Sequence, residues 1–150
     1  MNILVLSDLH IDTCDHFGTF QWNEDDFICR LEMTISKYAI DKVIFNGDVF
    51  ELAKYRYSDL KKSHPRLISY LENNDCIYIK GNHDIRNKRA KEHYDIINTA
   101  GKKIHIEHGH KADWMNGTCI GRFIGKLALK SLKRLSENSI LMKMYYRKVS

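Results

Sequence analysis

Four short apolar runs in this chain each stop at a cluster of Asp, Asn, Gly and His, and that punctuation limits the fold more than any other feature. Ile3-Leu4-Val5-Leu6 runs into Ser7-Asp8-Leu9-His10, and Val43-Ile44-Phe45 into Asn46-Gly47-Asp48. Cys76-Ile77-Tyr78-Ile79 leads to Gly81-Asn82-His83-Asp84, and residues 103–107 lead to His108-Gly109-His110. A short apolar run that ends in polar residues is the pattern of a strand buried on both faces, with its chemistry delivered at the C-terminal end. Between the runs the period becomes helical. Asn23 can cap a helix whose first turn holds Glu24, Asp25 and Asp26, after which Phe27, Ile28, Leu31, Ile35 and Tyr38 recur at helical spacing. A second helix is expected over residues 58–71, with Pro65 as a kink or break, and a third over about residues 87–99. Alternating strands and helices imply a mainly parallel sheet with right-handed crossovers, in which distant residues converge outside the carboxyl ends of the strands.

The chain has 150 residues, enough for one domain with a real core, and 43% of them are hydrophobic with a single proline. That composition excludes collagen-like, low-complexity and disordered classes. No run approaches the ~18 apolar residues of a membrane span, and the opening apolar run is too short and lacks the basic flank of a signal peptide. A cytoplasmic protein is expected, with Cys14, Cys29, Cys76 and Cys119 as reduced thiols because none stands in a C-x-x-C pair. Charge is unevenly spread: residues 1–110 carry 15 Lys and Arg against 17 Asp and Glu, whereas residues 111–150 carry 9 against 2. The basic tail, with amphipathic helical patterns over residues 121–135 and 140–146, is read as a helical appendage of the same domain. It is the candidate surface for nucleic acid or anionic lipid, although a solvated outer face has the same pattern.

The strand-end clusters offer carboxylates, imidazoles and one amide oxygen, a donor set suited to manganese, iron or zinc rather than to a metal that prefers thiolates. Gly47 and Gly81 precede candidate ligands at sharp turns, where a missing Cβ lets the chain bend. Taken singly, Asp8 could cap a turn and Asp48 could close an Asx turn. Asp12 reads as a loop-capping carboxylate, and His16, His64 and His93 as surface or capping histidines. Asp113 and Asn116 are candidates for the surroundings of the site.

Together, Asp8-x-His10, Gly47-Asp48, Gly81-Asn82-His83-Asp84 and His108-Gly-His110, in this order over roughly residues 3–116, resemble the calcineurin-like metallophosphoesterase family. The resemblance implies a layered α/β/β/α sandwich, here incomplete at its C-terminus, with a core over residues 1–116 and a basic appendage over 117–150. It implies two divalent metal ions, manganese first, with iron, zinc or nickel as alternatives. Asp8 and His10 would hold one, Asn82 and His108 the other, and Asp48 would bridge them. His83 would act as the general acid, Asp84 as its orienter, and Arg86 as a contact to a substrate phosphate. The implied reaction is hydrolysis of a phosphomonoester, phosphodiester or pyrophosphate by a metal-activated hydroxide. The family's final Gly-His-x-His motif has no counterpart after His110, as expected of a chain cut short before it. Alternatively His108-Gly-His110 is itself that motif, and His93 or His105 supplies the preceding ligand. The basic tail resembles the insertion of the UDP-2,3-diacylglucosamine hydrolase-like branch, which points to a phospholipid-like or nucleotide-linked phosphate. A binding protein that keeps the fold without the chemistry is the rival reading.

Overall fold

A computed structural model describes residues 1–14 and 18–112, together with residues 118, 120, 121, 123–125 and 127. Two compact units divide the chain, Met1–Gly109 and His110–Ser150. In the first, β1 (Ile3–Leu6) is followed by α1 (Glu24–Lys37), β2 (Lys42–Asn46), α2 (Tyr57–Ser63), α3 (Pro65–Asn73), β3 (Ile77–Ile79), β4 (Tyr94–Ile97) and β5 (Lys103–Ile106). The second opens with a 3-10 turn over His110–Ala112. Residues 120, 121, 123–125 and 127 are helical, and the rest of the expected helical tail lies outside the described residues, as do His16, Asp113 and Asn116.

The helix starts follow the sequence. Asn23 Oδ1 accepts the Asp25 and Asp26 amides at 2.9 and 3.3 Å, with three acidic residues in the first turn of α1. The expected second helix is broken at His64, because Pro65 has no N–H to continue α2 and instead takes the first position of α3.

β1, β2 and β3 form a parallel sheet in that order. Strand alternation sends Leu4, Leu6, Val43, Phe45 and Tyr78 toward the helices, where they pack with Leu31, Leu67, Ile68 and Leu71. Phe45 stacks on Tyr78 with ring centroids 5.3 Å apart. The opposite face sends Ile3, Ile44, Ile77 and Ile79 onto Tyr94, Ile96 and Ile106. The layers are therefore helices, parallel sheet and β4–β5 pair, the mixed α/β sandwich expected. β1 is less enclosed than its composition implies, because as an edge strand it leaves Val5 45% exposed.

One region departs from expectation. Residues 87–99 do not form a helix; the chain turns through residues 84–90, bridges Lys91 to Ile79, and enters β4, which pairs antiparallel with β5. The fourth apolar run is thus in a separate two-stranded sheet rather than in the parallel one. Tyr94 and Ile96 alternate inward against Asp95 and Ile97, a period of two, and Asn98 closes the hairpin by accepting the Ala100 and Lys102 amides at 3.0 and 2.8 Å. Among the described residues no helix is long and apolar enough to cross a membrane.

Candidate metal centre

The loops that leave β1 and β2 remain paired after the strands end. Asp8 N donates to Gly47 O at 3.1 Å, His10 N to Asp48 O at 2.9 Å, Ile11 N to Val49 O at 2.9 Å and Glu51 N to Ile11 O at 3.0 Å. To stay paired while turning, Asp8, His10 and Asp48 adopt φ of 58°, 48° and 52°, beside Gly47 at 83°. Left-handed backbone is rare for non-glycine residues, and such strain persists only where the surroundings over-determine it, often at functional sites. Three of the residues expected to hold metal are held in this way.

Two glycines let the loops close on one another. A Cβ on Gly81 would overlap Asp48 Oδ1 and the Asp48 amide, and one on Gly47 would overlap the His108 ring. Gly81 N also donates to Asp84 Oδ1 at 2.8 Å.

Donor atoms gather in two groups that share Asp48: Asp8, Asp48 and His108, and His10, Asp48 and His83, each with one atom per residue within 4.8 Å of the others. His10 Nε2 lies 3.8 Å from both Asp8 Oδ1 and Asp48 Oδ2, and His108 Nε2 lies 3.5 Å from Asp48 Oδ2. Both imidazoles are aimed through the other nitrogen. His108 Nδ1 is 2.8 Å from Asn46 O, and since a carbonyl only accepts, this contact places the proton on Nδ1 and the lone pair of Nε2 toward Asp48. His10 Nδ1 is 3.3 Å from Glu51 Oε2. The Glu51 carboxylate against Nδ1, with Asp48 and Asp8 nearby, holds the His10 pKa above its usual value against the opposing effect of burial.

A family model described as calcineurin-like phosphoesterase matches residues 1–142. The chain belongs to the calcineurin-like phosphoesterase family. No curated protein matches it. Among solved structures, a conserved uncharacterised protein from Streptococcus pneumoniae, described as a predicted phosphoesterase, is 20% identical, with 88% of this chain and 55% of that chain covered at a TM-score of 0.36. The chain thus spans about half the length of that protein.

Of the residues that the calcineurin-like resemblance assigns, Asp8, His10, Asp48, His83 and His108 converge. Asn82 is half-buried in the turn between Gly81 and His83. The alternative ligands His93 and His105 do not join Asp48; they group with Asp95 on the β4–β5 hairpin. Arg86 is exposed and lines a cavity of about 310 Å³ with Phe50, Tyr57, Tyr78 and Arg89.

The orienting carboxylate is not where the sequence placed it. Asp84 is fully buried and accepts the Asp48, Val49 and Gly81 amides at 3.3, 2.9 and 2.8 Å. It locks the backbone of the metal loops and not the imidazole of His83. Burial, followed by the Asp48 charge, pushes its pKa up against these amide bonds. The carboxylate that reaches His83 is Glu51, with Oε1 2.7 Å from Nδ1, while the His83 amide donates to Asp48 Oδ1 at 2.8 Å. Sequence reasoning missed Glu51. Its only signal is an acid three residues past Asp48 in an otherwise apolar Val49-Phe50 stretch; it is 2% exposed, and although burial alone would raise its pKa, bonds from His10 and His83 and the Lys54 charge bring it down to about 2.

Two smaller expectations were also tested. Asp12 caps its loop as expected, accepting the Cys14, Thr19 and Phe20 amides at 2.8, 2.6 and 3.1 Å. His64 is buried rather than on the surface, its ring edge-on to Phe20 and its Nε2 3.3 Å from Cys14 Sγ.

Proposed function

We infer that this chain is a hydrolase of phosphate esters, cleaving a phosphomonoester, phosphodiester or pyrophosphate bond at a centre of two divalent metal ions held by Asp8, His10, Asp48, Asn82 and His108. The observation that carries this reading is the position of Asp48 Oδ2 between two imidazoles, 3.8 Å from His10 Nε2 and 3.5 Å from His108 Nε2, the place a bridging carboxylate would take. The oxygen and nitrogen donors fit manganese, with iron, zinc and nickel as alternatives. Bound by those residues, two dications would supply positive charge for the phosphate oxygens and a lowered pKa for the attacking water. The chain's own residues do the rest. Glu51 Oε1 accepts from His83 Nδ1 and fixes the ring, leaving Nε2 as the nitrogen that would give a proton to the leaving oxygen. Asp84 fixes the amides of Gly81, Asp48 and Val49, and with them the direction of the Asp48 carboxylate. Arg86 is read as a contact to a substrate phosphate; the cavity it lines with Phe50 and Arg89 includes none of the residues assigned to the metals.

The likeness of the tail to the diacylglucosamine hydrolase-like branch favours a nucleotide-linked or phospholipid-like phosphate. The excess of 9 basic over 2 acidic residues in 111–150 supports attraction to nucleic acid or anionic lipid there. The test is turnover of aryl phosphomonoesters and phosphodiesters by metal-stripped protein given manganese, nickel, zinc or magnesium. Turnover with at least one metal is expected. None with any of them leaves the fold as a binding module without chemistry.

A further inference from the structure

The outer face of the β4–β5 hairpin carries a second concentration of metal-binding side chains that the phosphoesterase centre does not use. Asp95 and His105 are directly opposed in the antiparallel register, and His93 immediately precedes β4. Two imidazoles and a carboxylate therefore gather on the hairpin. The ligand atoms of His93, Asp95 and His105 all lie within 4.8 Å of one another. His105 Nδ1 is 2.5 Å from Asp95 Oδ1, His105 Nε2 is 3.6 Å from Glu107 Oε2, and His93 Nε2 is 3.7 Å from Asp95 Oδ2. The two imidazole rings are 4.9 Å apart at 37°.

Donors bound about 2 Å from a tetrahedral zinc stand about 3.3 Å from each other. One ligand atom each of His93, Asp95 and His105 lies within 4.8 Å of the others, so side-chain rotations on an exposed face can bring them to a common ion without moving the backbone. Paired imidazoles select zinc, nickel and copper over magnesium or calcium. Charge agrees: beside the two imidazoles, Lys103 Nζ stands 2.8 Å from Asp95 Oδ2. A dication takes over the role of that lysine against Asp95.

We propose that the hairpin is a second, separate metal site, in which one nitrogen each of His93 and His105 and a carboxylate oxygen of Asp95 bind one zinc-like dication, with water completing the shell. Its consequence is mechanical. The hairpin has four paired residues per strand and is held to the parallel sheet by Tyr94, Ile96 and Ile106. An ion across both strands clamps β5, and β5 leads directly through Glu107 to His108 of the phosphoesterase centre.

The experiment uses the full chain, stripped of metal and re-equilibrated with zinc, as wild type and as the double variant His93→Ala with His105→Ala. Both positions are exposed, so circular dichroism of the metal-free proteins should coincide. Bound zinc after gel filtration should fall by one equivalent per chain in the double variant, and the imidazole resonances of His93 and His105 should shift on zinc addition to wild type. Lys103→Met supplies the independent arm: freeing Asp95 should tighten the hairpin site about 10-fold, within the range by which neighbours of metal ligands tune affinity. Equal zinc stoichiometry in wild type and double variant, or His93 and His105 resonances unmoved at excess zinc, overturns the proposal. Unchanged affinity in Lys103→Met removes Asp95 from the ligand set and overturns it as well.

Discussion

Glu51 holds two imidazoles with one carboxylate, contacting His83 Nδ1 at 2.7 Å and His10 Nδ1 at 3.3 Å, so it acts on the reaction only through them. Glu51→Gln keeps the size and an acceptor but loses the charged carboxylate that orients the His83 ring. Metal content should stay near wild type while kcat falls about 10- to 100-fold, as for other partners of metal-site histidines. The loss should be larger on esters with poor leaving groups than on activated aryl esters, as it must be if Glu51 acts through His83, and a merely structural role would lower both alike. His83→Ala should retain metal and lower kcat by about 10² to 10⁴-fold on esters with poor leaving groups. Activated aryl esters, which need no proton on departure, should lose far less; equal loss on both substrates would remove the general-acid role. Asp8, His10, Asp48 and His108 were legible because each ends an apolar run in a recognisable pattern. Glu51 and Asp84 were not, since what defines them is which atom accepts which proton. Two buried acids near one histidine look interchangeable in sequence, yet one serves imidazoles and the other backbone amides.

At the scale of elements, the centre depends on three loops closing on one another. Gly81 makes the closest approach, since a Cβ there meets both the side chain and the backbone amide of Asp48. The side chain could rotate away, but the amide is tied to Asp84 Oδ1 at 3.3 Å and cannot yield without opening the turn. Gly81→Ala should therefore cost about 1 to 3 kcal/mol, the usual range for overpacking a tight site, and should lower metal content; urea unfolding and metal analysis of the same sample check both. Wild-type stability and full metal occupancy in Gly81→Ala would show that the loops are looser than drawn. The parallel strands and α1 were readable because buried strands and a capped amphipathic helix have strong local signals. Residues 87–99 misled for a physical reason: charged residues around Ala90 and Ile96 are compatible with a helical face, whereas the deciding contacts are non-local. Those contacts are the Lys91 N to Tyr78 O bond at 2.8 Å and the packing of Ile96 on Ile44 and Ile79. The period of two in Tyr94-Asp95-Ile96-Ile97 and the Asn98 turn were the available clues.

For the Met1–Gly109 unit as a whole, the metal-free centre is a place of stored cost. Three non-glycine residues sit in left-handed backbone there, and Asp48 and Asp84 lie together out of water, with the pKa of Asp84 raised by burial and then by the Asp48 charge. Metal that binds only the folded state adds RT ln(1 + [L]/Kd), about 2.7 kcal/mol at a hundredfold excess over Kd. In a unit this size about 1 kcal/mol moves Tm by about 4 to 8 °C, so saturating manganese should raise Tm by about 10 to 20 °C over the chelated protein. No change on chelation would mean that the centre does not bind manganese. Glu51 sets the acid side of the metal-free profile. Its carboxyl is lowered from 4.5 to about 2 in the folded state, so its contribution is present above about pH 4.5 and is lost as pH falls toward 2. For a side chain only 3% exposed, that shift corresponds to about 3 kcal/mol. Urea midpoints of the chelated protein should therefore drop between pH 5 and pH 3 by more in wild type than in Glu51→Gln, which has no carboxyl to protonate there. Equal drops would mean that the imidazoles of His10 and His83 do not hold the Glu51 charge.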